Sequence, residues 1–235
     1  MGPAHRDRRD HRDHREGGAR PGYRSTAVVA ASGCPTDPRL AELAMAPLGA
    51  AVWTGSGELA QGGIVGLVHA ATGAAGRRGD GFDPTRDSIE QAVANAFALA
   101  AAHAHGALAL PFLAGGIFAG RVRPPITPDQ LSRHIARCCA RHRGDLRAVL
   151  VAFGVSEHEL LLAAVDEADD PGLGVVRGSI TRASDHGCPV IVNAANLEVR
   201  FGGGVSGAIG DATGCREAID REARAAVAAF WRANS

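Results

Sequence analysis

The sequence predicts an α/β protein, a three-layer α/β/α sandwich around a mixed central sheet. Three observations carry that expectation. Short apolar runs that read as buried strands alternate with longer stretches of helical apolar periodicity. Two of those strands run directly into glycine-rich loops, at 114–120 and 202–207. The 235 residues, 46% of them apolar, suffice for one sizeable core with tails.

The elements follow in order. Residues 1–24 read as a disordered charged tail. His5 to Glu16 is almost wholly Arg, Asp, His and Glu, with Gly and Pro after it, and such a segment buries too little surface to order itself. Metal binding by His5, His11 and His14 is the alternative to a solvated tail. The folded domain spans 25–235, and residues 25–46 are an ambiguous lead-in to it. Within 26–60, Ala27–Ala31 and Gly49–Trp53 have strand character. Pro38–Met45 has the pattern of a short helix with Leu40 and Leu43 inward. Gly63–Ala70 reads as a buried strand and Gly73–Gly81 as a Gly/Arg loop. Asp87 and Glu90 form a candidate N-cap pair for a helix whose Ile89, Val93 and Phe97 share one face, ended by Gly106. Ala107–Leu110 is a strand closed by Pro111. Thr127, Pro128 and Gln130 supply an N-cap, a first-turn proline and a capping-box acceptor. Their helix carries Leu131, Ile135, Cys138 and Cys139 and stops near Gly144. Ala148–Phe153 is the next strand, Ser156 and Glu159 cap a helix through Val165, and Ala168–Gly174 is a linker. Gly174–Arg177 is a strand, and a last amphipathic helix covers Arg216 to Trp231.

Composition excludes several function classes. The formal net charge is zero, so no general steering toward nucleic acid or membrane is expected. All 25 basic residues are Arg, which removes a Walker A phosphate loop and any lysine nucleophile. No apolar run approaches the roughly 18 residues of a membrane span, and no secretory apolar region opens the chain. The five cysteines, at 34, 138, 139, 188 and 215, are odd in number and lack C-x-x-C spacing. They read as reduced thiols of a cytoplasmic protein. No cofactor is expected, and no metal: His186 and Cys188 are a weak pair without zinc-site spacing.

The most informative stretch runs from Val190 to Ile209. It opens as a buried strand, with Asn193 expected at the strand's end. Asn196, then Gly202, Gly203 and Gly204, then an Ala/Ile helical segment follow. A strand, a glycine loop and a helix N-terminus together make an anion site, because backbone N–H groups approach a phosphate and the helix dipole favours negative charge. Gly202, Gly204 and Gly207 also fit the dinucleotide fingerprint G-x-G-x-x-G. That motif should follow its strand at once and be followed by a second strand and an acidic residue. Here the loop is too long, and only one more helical stretch remains before Ser235.

The same string, N-A-A-N at 193–196, a spacer, then G-G-G-V at 202–205, resembles the first signature of the macrodomain family, an ADP-ribose site. Other pieces resemble that family too: Leu67-Val68-His69-Ala70, Leu110-Pro111, Gly116-Ile117-Phe118, the strand ending at Phe153, and Val175 to Thr181. Their order is rotated, since in ordinary macrodomains the V-x-x-G-D-I-T and N-A-A-N pieces come first. The chain therefore resembles a circularly permuted macrodomain over roughly 47–233, a change that exposed, neighbouring termini make cheap.

The resemblance implies a set of roles. The loops at 114–120 (with Ala114, Gly115, Gly116, Ile117, Phe118) and 202–207 (with Gly202, Gly203, Gly204, Val205, Ser206) close on the diphosphate; the alternative for either loop alone is a tight turn. Phe153 stacks on adenine or is ordinary core. Phe118 packs on the distal ribose. Asn196 offers donor and acceptor to ribose hydroxyls, while Asn193 holds the loop through backbone hydrogen bonds. Ile180 lines the base pocket. His69 reads as a satisfied core histidine rather than a catalyst. Two departures stand out. Ser179 replaces the family's usual Asp, so its bond to the adenine amino group lacks charge assistance and is roughly half as strong. Ser206 stands where hydrolases of one subgroup carry Asp. The expected activity is hydrolysis of the ester joining mono-ADP-ribose to acidic side chains of proteins, with Asn196, Phe118 and Gly204 at the reacting centre. The expected partners are ADP-ribose or a mono-ADP-ribosylated protein, with no sequence-specific nucleic acid and no membrane. A reader without turnover, or a sensor of free ADP-ribose, is the other possibility.

Overall fold

The computed structural model describes residues 28–34, 37–73, 82–116 and 120–234. The expected tail at 1–24, residues 74–81 of the Gly/Arg loop expected at Gly73–Gly81, and Ile117 and Phe118 lie outside the described residues, while Gly73 ends a strand. Seven strands form one sheet: β1 (Val28–Ala30), β2 (Ala51–Gly55), β3 (Gly66–Gly73), β4 (Ala107–Pro111), β5 (Arg147–Ala152), β6 (Leu173–Arg177) and β7 (Val190–Asn196). Their spatial order is β1-β2-β3-β7-β4-β5-β6. The run β3-β7-β4-β5-β6 is parallel throughout, whereas β2 pairs antiparallel with both β3 and β1. The sheet is thus mixed, and β7, late in the chain, sits at its centre between β3 and β4.

Period-2 alternation sends successive side chains to opposite faces. Val68, Leu108, Leu110, Leu150, Val190 and Val192 join one cluster with Ile89, Val93, Phe97, Leu131, Ile135 and Leu161. Those partners lie on α2 (Arg86–Ala102), α3 (Pro128–His142) and α4 (Val155–Ala168). Leu67, Ala109, Val149, Val151 and Ile191 join the opposite cluster with Phe201, Ile209 and Ile219. Ile209 and Ile219 belong to α6 (Gly204–Ala212) and α7 (Arg216–Ala233). Helices therefore cover both faces, which is why the central strands read as continuous apolar runs. A third cluster joins Leu40 of α1 (Pro38–Glu42) and Val52 to Leu197, Val199, Val227 and Trp231. Burying a side chain such as Phe97 contributes about 1.5–3 kcal/mol. No helix among the described residues is long and apolar enough to cross a membrane.

Several element boundaries differ from expectation. The N-cap of α2 is Thr85, not Asp87: Thr85 Oγ1 accepts from the Ser88 N–H and Ser88 Oγ accepts from the Thr85 N–H. A Ser at the third helical position completes this reciprocal box as a Glu would. That helix ends at Ala102, before Gly106. The N-cap of α4 is Gly154, with no side-chain cap from Ser156 or Glu159, and the helix runs three residues beyond Val165. Leu43 is 57% exposed because α1 stops at Glu42, so only Leu40 faces inward. The strand expected to end at Asn193 continues to Asn196, paired with β3. A four-residue helix, α5 (Ala183–His186), and a 3-10 segment, Gly57–Gly62, carry too little periodicity to be read from sequence. By contrast, Thr127 and Gln130 form the expected capping box on α3.

Candidate functional site

Because β3, β7, β4, β5 and β6 are parallel, their C-terminal ends and outgoing loops share one edge of the sheet. Open α/β sheets bind ligands at that edge. Four of the loops carry the residues singled out from sequence. The loop after β7 leads to Gly202–Ser206, the loop after β4 holds Ala114, Gly115 and Gly116, Phe153 follows β5, and Ser179 and Ile180 follow β6.

The loop after β7 is held on both sides. Asp220 Oδ1 accepts from the Phe201 N–H at 2.9 Å. Arg216 donates to the carbonyls of Phe201 and Gly202 at 2.8 and 3.0 Å. Ser206 is buried, and its hydroxyl oxygen accepts from the Gly202 N–H at 3.1 Å. The loop thus rests on α7 and on the first turn of α6. Gly203 is the N-cap of α6, and among the described residues no side chain caps the helix, the arrangement in which first-turn N–H groups can serve an anion. Gly204 has φ +59°, and a Cβ there would meet nothing within 4 Å. Its glycine answers a backbone requirement, not a packing one. Gly202 and Gly203 likewise have open space where a side chain would sit. At Gly207 a Cβ would stand 2.9 Å from the Gly202 carbonyl oxygen, which keeps α6 close against the loop.

Backbone strain marks both glycine loops. Val199 is buried at φ +49°, and Ala114 is buried at φ +58°. Left-handed conformations cost a non-glycine residue about 1–2 kcal/mol; Ala44, Ala104 and Asp169, away from these loops, adopt them too, so strain accompanies the site without singling it out. Asn196 is half-buried, and its Oδ1 takes a long 3.5 Å bond from the Arg200 N–H. Gly115 packs against the Phe112 ring, and a Cβ would meet that ring at 2.4 Å. A small pocket beneath this loop is lined by Phe112, Gly115, Val122, Ile126, Pro128 and Leu131, among others.

Phe153 is 88% exposed, so it is not core. Its N–H donates to Glu157 Oε2 at 2.8 Å, which fixes the backbone that presents the ring. After β6, the Gly178 N–H donates to the Ala152 carbonyl and ties the two strand ends together. The Ser179 N–H donates to Asp185 Oδ2 at 2.8 Å, and its hydroxyl pairs with that of Thr181 at 2.8 Å. The Ser179 N–H, with help from Arg182, holds the Asp185 carboxyl below its usual range. Ile180 is buried in the cluster with Val151 and Ile209.

Asn193 departs from the role expected of it. It is fully buried, and its amide pairs with His69 Nδ1 at 3.1 Å in place of the loop backbone. The cause is the longer strand: Asn193 lies mid-strand, directly across from His69. The Asn193 Nδ2 donates to His69 Nδ1, which puts the ring proton on Nε2, 3.0 Å from Thr54 Oγ1. Thr54 in turn donates to the Gly55 carbonyl. Burial lowers the His69 pKa to about 4, so the ring is neutral at ordinary pH. This is the satisfied core histidine expected, and it tilts against Phe201 at 5.2 Å beneath the loop.

Sequence reading missed Arg216, Asp220, Glu157 and Asp185, which brace the loops without belonging to any motif. Only their charge, in helices following glycine loops, could have drawn attention to them. No protein-family model matches the chain, and no curated protein matches it.

Proposed function

We propose that this chain is a circularly permuted macrodomain that binds ADP-ribose and hydrolyses ester-linked mono-ADP-ribose from acidic side chains of proteins. The observation that carries the reading is the Asn193–Ser206 segment. Its N-A-A-N…G-G-G-V string leaves the central strand and enters an uncapped helix N-terminus, one strand away from the second glycine loop. Strand neighbours lie about 4.8 Å apart, so the edge from β7 to β6 spans about 14 Å. A base, two riboses and a diphosphate can cover that length. In this reading the diphosphate sits between the loops after β7 and β4, the adenine lies near exposed Phe153 and Ser179, and the distal ribose lies at Asn196. The rotated order is supported by β7, near the chain's end, lying between β3 and β4. The five free cysteines fit a cytoplasmic setting.

Hydrolysis in such a site rests on positioning. Asn196 orients the ribose hydroxyls, the resemblance gives Phe118 a place against the ring, and both loops fix the diphosphate. A substrate phosphate oxygen then serves as the weak base for water. Oriented reactions gain up to ~7–11 kcal/mol, while the absence of a protein general base forfeits about 10²–10⁴-fold. The expected activity is slow removal of mono-ADP-ribose, with little action on long poly(ADP-ribose) chains. One observation favours the reader alternative: none of the proposed ligand-binding residues is a carboxylate, and the Ser206 hydroxyl is engaged by Gly202. The experiment is release of ADP-ribose from a glutamate-modified protein. Turnover that Asn196→Ala lowers more than it weakens binding supports the hydrolase. Tight binding with no release over hours leaves the reader.

A further inference from the structure

Away from the strand-end loops, α2 and α3 bring together three side chains of metal-ligating type. Ligand atoms of Glu90, His134 and Cys138 all lie within 4.8 Å of one another. His134 and Cys138 are one helical turn apart on α3, so they share a face, and Glu90 reaches them from α2. We propose that this cluster is a binding site for a zinc-like divalent ion that clamps α2 to α3, with water at the fourth position.

The donor set suits that ion. Imidazole nitrogen, thiolate sulfur and carboxylate oxygen are the three zinc ligand types, and three protein ligands leave one position open. Tetrahedral bonds of about 2.0–2.3 Å put ligand atoms about 3.3–3.8 Å apart, so the set closes with shifts of about 1 Å. The outer contacts are also of the metal-site kind. His134 Nε2 lies 2.9 Å from the Arg86 carbonyl oxygen. A carbonyl only accepts, so the proton is on Nε2 and the Nδ1 lone pair is available to a cation, the usual arrangement behind a ligating histidine. The Glu90 carboxylate takes His142 Nε2 at 2.9 Å and Arg141 at 2.8 Å, both on Oε1, which leaves Oε2 for the ion. Arg141 is 68% exposed and can turn to water when a cation arrives. The Cys138 sulfur lies 3.9 Å from His134 Nδ1 and 3.6 Å from Nε2, so a turn of the ring is needed to aim Nδ1 at an ion shared with the sulfur. Burial and the Glu90 charge hold this thiol protonated, with a pKa near 12. Metal binding therefore forms the metal–sulfur bond and releases the thiol proton to solvent.

Cobalt(II), a spectroscopic stand-in for zinc, tests the site on the full chain. The expected result is one ion per chain, with a thiolate-to-cobalt charge-transfer band that zinc abolishes by displacement. Cys138→Ser should eliminate the band, and His134→Gln should weaken binding by at least about a hundredfold, more than loss of an outer partner does. A triple His5→Ala, His11→Ala, His14→Ala variant should keep the band. Should Cys138→Ser not fold, zinc should still raise the thermal midpoint of the wild type and leave that of Glu90→Gln unchanged. The proposal is overturned if no charge-transfer band forms, if it persists in Cys138→Ser, or if zinc raises both midpoints equally.

Discussion

Substitution at Gly203 separates ligand clearance from fold. Gly203 has φ −98° and ψ −174°, extended backbone open to any residue, and a Cβ there would meet nothing within 4 Å. Gly203→Glu should therefore change stability by no more than about 0.5 kcal/mol. A carboxylate at the N-terminus of α6 would face a bound diphosphate. At about 4 Å and an effective dielectric near 20, one such charge pair costs about 4 kcal/mol, roughly a thousandfold in affinity. Gly203→Gln, of similar size and neutral, should lose much less. Gly204→Glu should lose binding as well, but with an added cost of about 1–2 kcal/mol for its left-handed backbone, seen as a lower midpoint of roughly 2–4 °C per kcal/mol. Calorimetry with ADP-ribose and thermal melts on the variants provide both readouts. If Gly203→Glu binds ADP-ribose like the wild type, the diphosphate does not lie against α6 and the placement of the ligand fails.

Other outcomes follow from named contacts. Phe153→Ala should weaken ADP-ribose binding by about 1–3 kcal/mol and leave the melting midpoint nearly unchanged, since the ring is solvent-exposed; titration calorimetry and a melt check both. His69 should make stability fall on acidification. Its folded pKa is about 4 against an ordinary 6.5, so between those values the unfolded chain binds the extra proton. The stabilisation is complete above pH ~6.5 and is lost as pH falls toward ~4, for a total of roughly 3 kcal/mol. Denaturant melts across that window should show this slope, and His69→Gln should reduce it, leaving the contribution of His186, whose pKa burial also lowers.

Much of the fold was legible because both faces of the parallel strands are buried. Val190–Val192 and Leu108–Leu110 are continuous apolar runs for that reason, and Thr127-Pro128-Asp129-Gln130 signals a helix start through local chemistry alone. What failed was settled by tertiary contacts. Asn193 reads as a strand end because it is polar, yet His69 on the neighbouring strand pairs with its Nδ2 and β7 continues, with the buried Oδ1 left without a partner among the described residues. Phe153 reads equally as core or site until its place beyond the end of β5 leaves it exposed. The glycines of the loop after β7 are visible as letters, but the Arg216 and Asp220 contacts that shape it join positions 14 to 19 residues apart. The strain at Val199 and Ala114 has no sequence signal, because neither residue type favours positive φ.

The proposed function stands on recognition of ADP-ribose at the edge where the parallel strands end. Titration calorimetry of the full chain with ADP-ribose, ADP, NAD and ATP tests it most directly. One saturable site is expected, which prefers ADP-ribose over the other three and is lost in Gly203→Glu. No heat with ADP-ribose, or equal affinity for ATP that survives Gly203→Glu, would contradict it.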